Sequence, residues 1–199
     1  MSKRILFISC GKKKGNTWQA AHVAAEAAQS AGAETMLVEA VELSGIGRGC
    51  IGCMHCQKSA DFGCLLDDEV ADLILEMPKF DMIVFCTPVY FFSFSTQAKG
   101  IIDRLMAMVK YDGEKFHSPL KGKRFALLVT SGAGEADSGV KALRMSYRYI
   151  VDYFQGKHCG ELYFPDCDAQ GGGLENDIDM PSKARIFGKK LAAQLINNL

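Results

Sequence analysis

Apolar runs of strand length alternate with helix-length segments from one end of the chain to the other. That alternation marks an α/β domain built on a parallel sheet. The first run is Arg4 to Ser9, and after a Gly/Lys turn comes Thr17 to Ala31, whose many alanines favour helix and which Gly32 stops. Glu34 to Glu39 reads as a second strand, Val70 to Met77 as a helix ended by Pro78, and Met82 to Cys86 as a third strand. Thr96 to Val109 predicts a helix, Arg124 to Thr130 a fourth strand, and Ser138 to Phe154 another helix. Glu161 to Phe164 is a weak fifth strand and Ser182 to Asn197 a closing helix. The expectation is a doubly wound five-stranded parallel sheet with helices on both faces, in one domain over 1–199.

Sheets of this kind bind ligands beyond the carboxyl ends of their strands, where the winding reverses. The loops after strands one, three and four are therefore the ones expected to carry function. One connection departs from the economy of the rest. Ala40 to Asp67 is far longer than most loops, and loops of that length are usually functional or disordered. Its stretch at about 44–67 reads as a cysteine-rich insertion.

After strand one, Cys10-Gly11-Lys12-Lys13-Lys14-Gly15-Asn16-Thr17 leads straight into a helix. Small and hydroxyl-bearing residues there expose N–H groups at the positive end of the helix dipole, an arrangement that holds phosphate. Cys10, Lys12, Gly15, Asn16 and Thr17 are the candidates. The spacing matches neither an ATP-binding P-loop nor the dinucleotide glycine pattern. Taken alone, the loop reads equally well as a solvated lysine turn before a helix capped by Asn16 or Thr17. After strand three, Pro88, Val89, Tyr90, Phe91 and Phe92 put three adjacent aromatics where the chain leaves the sheet. Such a run suits a flat, partly apolar partner such as an isoalloxazine ring, core packing or a subunit interface. After strand four, Ser131, Gly132, Ala133 and Gly134 let backbone amides approach a ligand closely.

Composition narrows the class. With 48% hydrophobic residues in 199, the chain buries enough surface to fold without disulfides or metal. Its 23 basic and 23 acidic residues cancel, so no electrostatic footprint for nucleic acid or an anionic membrane is present. The apolar amino terminus is too short for an export signal or a membrane span, and a cytoplasmic location is expected. In that setting eight cysteines point to redox or metal chemistry rather than a disulfide scaffold.

Cys50, Cys53, Cys56 and Cys64 form C-x2-C-x2-C-x7-C, a spacing that can wrap one iron-sulfur cluster. Zinc is the competing metal, although zinc sites usually use two separated pairs. An empty, reduced or partly disulfide-linked loop is the third possibility. Cys86 and Cys159 read as buried apolar cysteines, and Cys10 as a residue facing a bound phosphate. His55 reads as a loop histidine with a metal ligand as the alternative, and the acidic, Gly-rich stretch Asp166 to Asn176 as a segment able to close over the site.

These residues resemble the NAD(P)H-dependent FMN reductase and iron-sulfur flavoprotein branch of the flavodoxin-like proteins. The resemblance rests on Gly15-Asn16-Thr17, Thr87-Pro88-Val89-Tyr90-Phe91, Ile102-Asp103-Arg104 and the cysteine segment ending near Asp67-Asp68. It implies a flavodoxin-like strand order of 2-1-3-4-5 and FMN, with phosphate at the first loop and the isoalloxazine along the other two. The first loop departs from the family, which commonly has Ser-Pro-Arg where this chain has Cys10-Gly11-Lys12. The resemblance further implies a 4Fe-4S cluster on the four cysteines. NAD(P)H or a ferredoxin would be the electron donor, a small molecule or protein the acceptor, and a homodimer or homotetramer the assembly. The leading expectation is an FMN-dependent oxidoreductase in which the flavin is the reactive centre. The alternatives are an NAD(P)H-dependent FMN or quinone reductase without a cluster, and a non-catalytic zinc-binding or redox-sensing protein.

Overall fold

β1 (Arg4–Ser9) is buried along almost its whole length, as befits the interior of a parallel sheet covered on both faces. Its side chains alternate: Ile5 and Phe7 point to one core, Leu6 and Ile8 to the other. The structure, a computed structural model, describes residues 3–167 and 179–197. Most of the segment Asp166 to Asn176 lies outside the described residues.

The remaining parallel strands are β2 (Glu34–Glu39), β3 (Met82–Tyr90), β7 (Arg124–Thr130) and β8 (Lys157–Phe164). They pair in the order β2-β1-β3-β7-β8, the doubly wound flavodoxin-like order. Of the helices, α1 (Asn16–Ser30) and α6 (Met180–Ile196) cover one face. The alanines of α1, among them Ala20, Ala21 and Ala24, let it lie close on Phe7 and Val84. α3 (Glu69–Glu76), α4 (Thr96–Arg104) and α5 (Val140–Tyr153) cover the other face over Ile83, Phe85 and Leu127. A short helix, α2 (His55–Lys58), sits within the cysteine segment. No described helix is long and apolar enough to cross a membrane.

β8 begins at Lys157, earlier than the expected Glu161, and three further features depart from the sequence reading. β3 continues to Tyr90 and turns back through the short β4 (Ser93–Phe94), pairing Val89 with Phe94 and Tyr90 with Ser93. The helix expected to Val109 ends at Arg104 and tightens into a 3-10 turn, Leu105–Met108. A hairpin of β5 (Lys110–Asp112) and β6 (Lys115–His117) then follows, which the apolar pattern did not reveal.

Candidate active site

The three expected loops converge. A cavity of about 640 Å³ opens at the carboxyl ends of β1, β3 and β7. It is walled by Lys12 to Thr17, by Pro88, Val89 and Tyr90, and by Thr130, Ser131, Gly132 and Cys167. Its size lies within the usual range for small-molecule and cofactor sites.

The first wall is the start of α1. Gly15 is the N-cap, and no side chain caps the helix, contrary to the capping by Asn16 or Thr17 that the sequence allowed. The positive end of the helix dipole thus faces the cavity with Lys12 and Lys14 beside it. Lys13 is committed elsewhere, to Glu42 and, at 4.0 Å, to Glu39. Its pKa is raised by the hydrogen bond and charge of Glu42, then by Glu39. Thr17 Oγ1 and Thr130 Oγ1 share a hydrogen bond of 2.7 Å, which ties the first loop to the end of β7.

The second wall is stitched to the first. The Ser95 hydroxyl donates to the Cys10 carbonyl at 2.9 Å and accepts from the Ala98 N–H at 3.3 Å, capping α4. The Ser95 N–H donates to Thr87 Oγ1 at 3.2 Å. Beyond Tyr90 the β3-β4 hairpin turns on Phe91 and Phe92, both with positive φ (45° and 68°). Two-residue turns of this kind normally use Asn and Gly, because bulky side chains resist the left-handed region. Phe91 is 95% exposed, and behind the turn Gly139 presses so close that a Cβ there would lie 2.6 Å from the Phe92 Cα. Exposed aromatics in a strained turn are a costly arrangement, and such strain clusters at ligand clamps and switch regions.

The third wall hangs from Tyr163 on β8. Its hydroxyl lies 2.6 Å from Ser131 Oγ and 3.1 Å from Ser138 Oγ, and donates to the Ala133 carbonyl at 3.2 Å. Arg144 sits over the Tyr163 ring at 5.2 Å and pairs with Glu135 and Glu161. Sequence reasoning missed both Tyr163 and Cys167; the apolar strand pattern gave no sign that one tyrosine would serve as a hub.

Several expected residues lie elsewhere. Cys10 does not face the cavity: its thiol is fully buried beneath the loop, pushed far up in pKa by that burial, and contacts the Ile8 carbonyl at 3.6 Å. Ala133, Gly134, Phe91 and Phe92 are not among the residues that line the cavity, and Phe91 and Phe92 are exposed. Cys86 is fully buried as expected, whereas Cys159, on the edge strand β8, is only half-buried.

The cysteine segment forms a second, smaller cavity. Cys50, Cys53, Cys56 and Cys64 all line it, together with Arg104 and apolar neighbours such as Ile51, Leu65 and Met106. His55 is exposed and is not among the lining residues. All four thiols are free, and among the described residues no three His, Cys, Asp or Glu side chains come together as ligands for a single metal ion.

A family model described as NADPH-dependent FMN reductase matches residues 3–158. The chain belongs to this family. It is an FMN-dependent oxidoreductase, and FMN and a nicotinamide donor are the cofactor and partner that the family description supports. Solved structures with the same fold include an NAD(P)H:quinone oxidoreductase from Methanothermobacter marburgensis, with 15% identity and a TM-score of 0.72 over 96% of this chain and 100% of that one. An FMN-dependent NADH-azoreductase from Bacillus anthracis in complex with FMN is 10% identical, with a TM-score of 0.64 over 98% and 99%. RosB with a bound formylriboflavin phosphate intermediate is 14% identical, with a TM-score of 0.69 over 99% and 81%. At these identities the structural likeness speaks for the fold alone. No curated protein sequence matches the chain. Membership of this FMN reductase family favours the simple nicotinamide-dependent reductase over the two-centre protein that led the sequence reading.

Proposed function

We propose that this FMN reductase family member takes reducing equivalents from NADPH or NADH and delivers them, through FMN in the cavity at the ends of β1, β3 and β7, to a small flat acceptor of the quinone class. The observation that carries the reading is the convergence of three loops on one cavity of about 640 Å³. The residues present fit the cofactor. Lys12, Lys14, Gly15, Asn16 and Thr17 at the uncapped start of α1 suit its phosphate. Pro88, Val89 and Tyr90 on one side, with Ser131 and Gly132 on the other, suit a flat ring that is apolar on its faces and polar at its edge. FMN supplies hydride acceptance and release when bound, and the protein's part is to hold and orient it and to shape access. In this reading Cys10 and Ala133 support the wall through their carbonyls, which accept hydrogen bonds at its back. Phe91 and Phe92 border the acceptor's entrance or are covered by a second copy in a homodimer or homotetramer.

The test is an anaerobic titration with FMN followed by NADPH or NADH, and then by a benzoquinone. One flavin bound per chain, bleached by nucleotide and restored by quinone, is the expected result. A chain that binds no FMN overturns the reading.

One observation favours a second reading. All four cysteines of the 50–64 segment line a single cavity, a grouping that a 4Fe-4S cluster would use. With a cluster there, single electrons from a ferredoxin-type donor would enter by the cysteine loop. Iron and acid-labile sulfide assayed after anaerobic purification test it, and their absence after anaerobic reconstitution overturns it.

A further inference from the structure

Among the described residues Arg104 is the largest side chain that is wholly buried, with no exposed side-chain surface. Asp68, the N-cap of α3, grips it bidentately at 2.8 and 3.0 Å, and one guanidinium nitrogen lies 3.5 Å from the Leu66 carbonyl. Gly45 (φ +79°) permits this, since a Cβ there would fall 2.1 Å from the Asp68 carboxylate. Burying such a pair takes two charges out of water, and well-packed apolar residues of similar volume are often as stable or more so. Stability alone therefore gives a weak reason for it.

Its place suggests another. Arg104 lines the cavity that the four cysteines surround, and its Nε is buried without a partner. Cys64 lines the same cavity as this unpartnered nitrogen. Another N–H donor is already seated on a sulfur of this segment. Gln57 Nε2 lies 3.5 Å from Cys56 Sγ while also donating at 3.1 Å to the carbonyls of Met106 and Val109, which fix it in place. One of the four thiols thus meets an anchored nitrogen donor, and Cys64 shares with the unpartnered Arg104 Nε a pocket otherwise lined by apolar groups. Sulfurs that remain neutral thiols need no such donors, whereas sulfurs carrying the negative charge of metal ligands do.

We propose that Arg104, held by Asp68, is the positioning residue of the cysteine cavity, directing a guanidinium N–H at the Cys64 sulfur so that Cys64 serves as a thiolate ligand of an iron-sulfur cluster. This rests on the second reading above. Hydrogen bonds to ligand sulfurs and nearby charge both set a cluster's reduction potential, so Arg104 favours the reduced, more negative state.

The experiment compares the full-length, FMN-loaded protein with Arg104→Lys and Arg104→Gln after anaerobic reconstitution with ferrous iron and sulfide. It reads iron and sulfide per chain, and the midpoint potential by dithionite titration under electron paramagnetic resonance. Wild type is expected to hold about four irons. R104Q is expected to shift the one-electron equilibrium at least tenfold toward the oxidised state, about 59 mV lower. R104K, which keeps a point charge but loses the fork, is expected to fall between. FMN stoichiometry reports whether each variant has folded, and if R104Q has not, R104K carries the comparison. Loaded wild type and variant with the same potential overturn the role of Arg104 alone. Wild type that takes up no iron overturns the cluster reading and this role with it.

Discussion

The flavin cavity takes its walls from three short loops, each anchored to the end of a buried strand, while the cysteine cavity takes most of its lining from one long connection. The first is held by the sheet and by hydroxyl bridges such as Thr17 to Thr130 and Ser95 to Cys10. The second has no strand beneath it and is held by buried or half-buried polar side chains, namely Arg104 on Asp68, Gln57 on the 3-10 turn, and Lys110 on the Cys56 and Ser59 carbonyls. The lesson is that a site on strand ends inherits the stability of the core, whereas a site on an inserted loop depends on a few pairings whose loss leaves charge buried.

The most damaging test of that contrast is Asp68→Ala. It strands the Arg104 guanidinium and should cost about 3–5 kcal/mol in denaturant unfolding. A loss below about 1 kcal/mol would show that the cysteine segment does not depend on the pair. The same pair gives a pH dependence. Burial alone would raise the Asp68 carboxyl, but hydrogen bonds from Arg104 and from the Ala71 N–H outweigh it and leave its pKa lowered. The folded state therefore gains stability above the unfolded carboxyl value of about 3.9 and loses it as pH falls through the lower folded value. Asp68→Asn should flatten acid unfolding in that window.

Next in size is Gly139→Ala. A Cβ there meets the Phe92 backbone at a residue with φ of +78°, so roughly 1–3 kcal/mol of strain is expected, together with a displaced aromatic hairpin and weaker FMN binding. Tyr163→Phe removes the hub of the third wall and should raise the FMN Kd several-fold, for a loss of ~1 kcal/mol, while the iron content of a reconstituted cysteine loop stays the same. Equal damage to both centres would mean that the two cavities are not independently built. Phe91→Gly has the smallest effect. Relief of a left-handed residue, worth ~1–2 kcal/mol, is set against the added chain entropy of Gly, about 0.5–1 kcal/mol, so a slight gain in stability is expected.

How much of this was legible depended on whether a feature was local. The apolar runs that define β1 and β7 are nearly continuous, so their bounds followed from them, whereas the sheet order came from the resemblance to flavodoxin-like proteins. The three loops could be placed because the carboxyl ends of such strands must share an edge. The turn at Phe91 and Phe92 was not legible, because adjacent aromatics suit a ligand wall or an interface and give no sign of a hairpin tip. Cys10 looked like a cavity residue by position, but the strand alternation that turns Leu6 and Ile8 into one core carries Cys10 into it as well. Tyr163 and the Asp68–Arg104 pair are long-range, the latter joining residues 36 apart, and no local pattern announces them. The β5-β6 hairpin was hidden by the helical periodicity running into it from α4.

The helix α4 begins at the Ser95 cap, which is bound to the first loop of the flavin cavity, and ends at Arg104 in the cysteine cavity. At 1.5 Å per residue those ends are separated by roughly 14 Å, and at 3.6 residues per turn their relative angle is fixed as well. The helix therefore acts as a ruler between two sites. Insertions in the 44–67 segment can be absorbed by loop slack, but one residue added inside α4 would swing Arg104 by about 100° and break its grip on Asp68. Length variation among descendants of this sequence should gather in the cysteine loop and spare these nine residues.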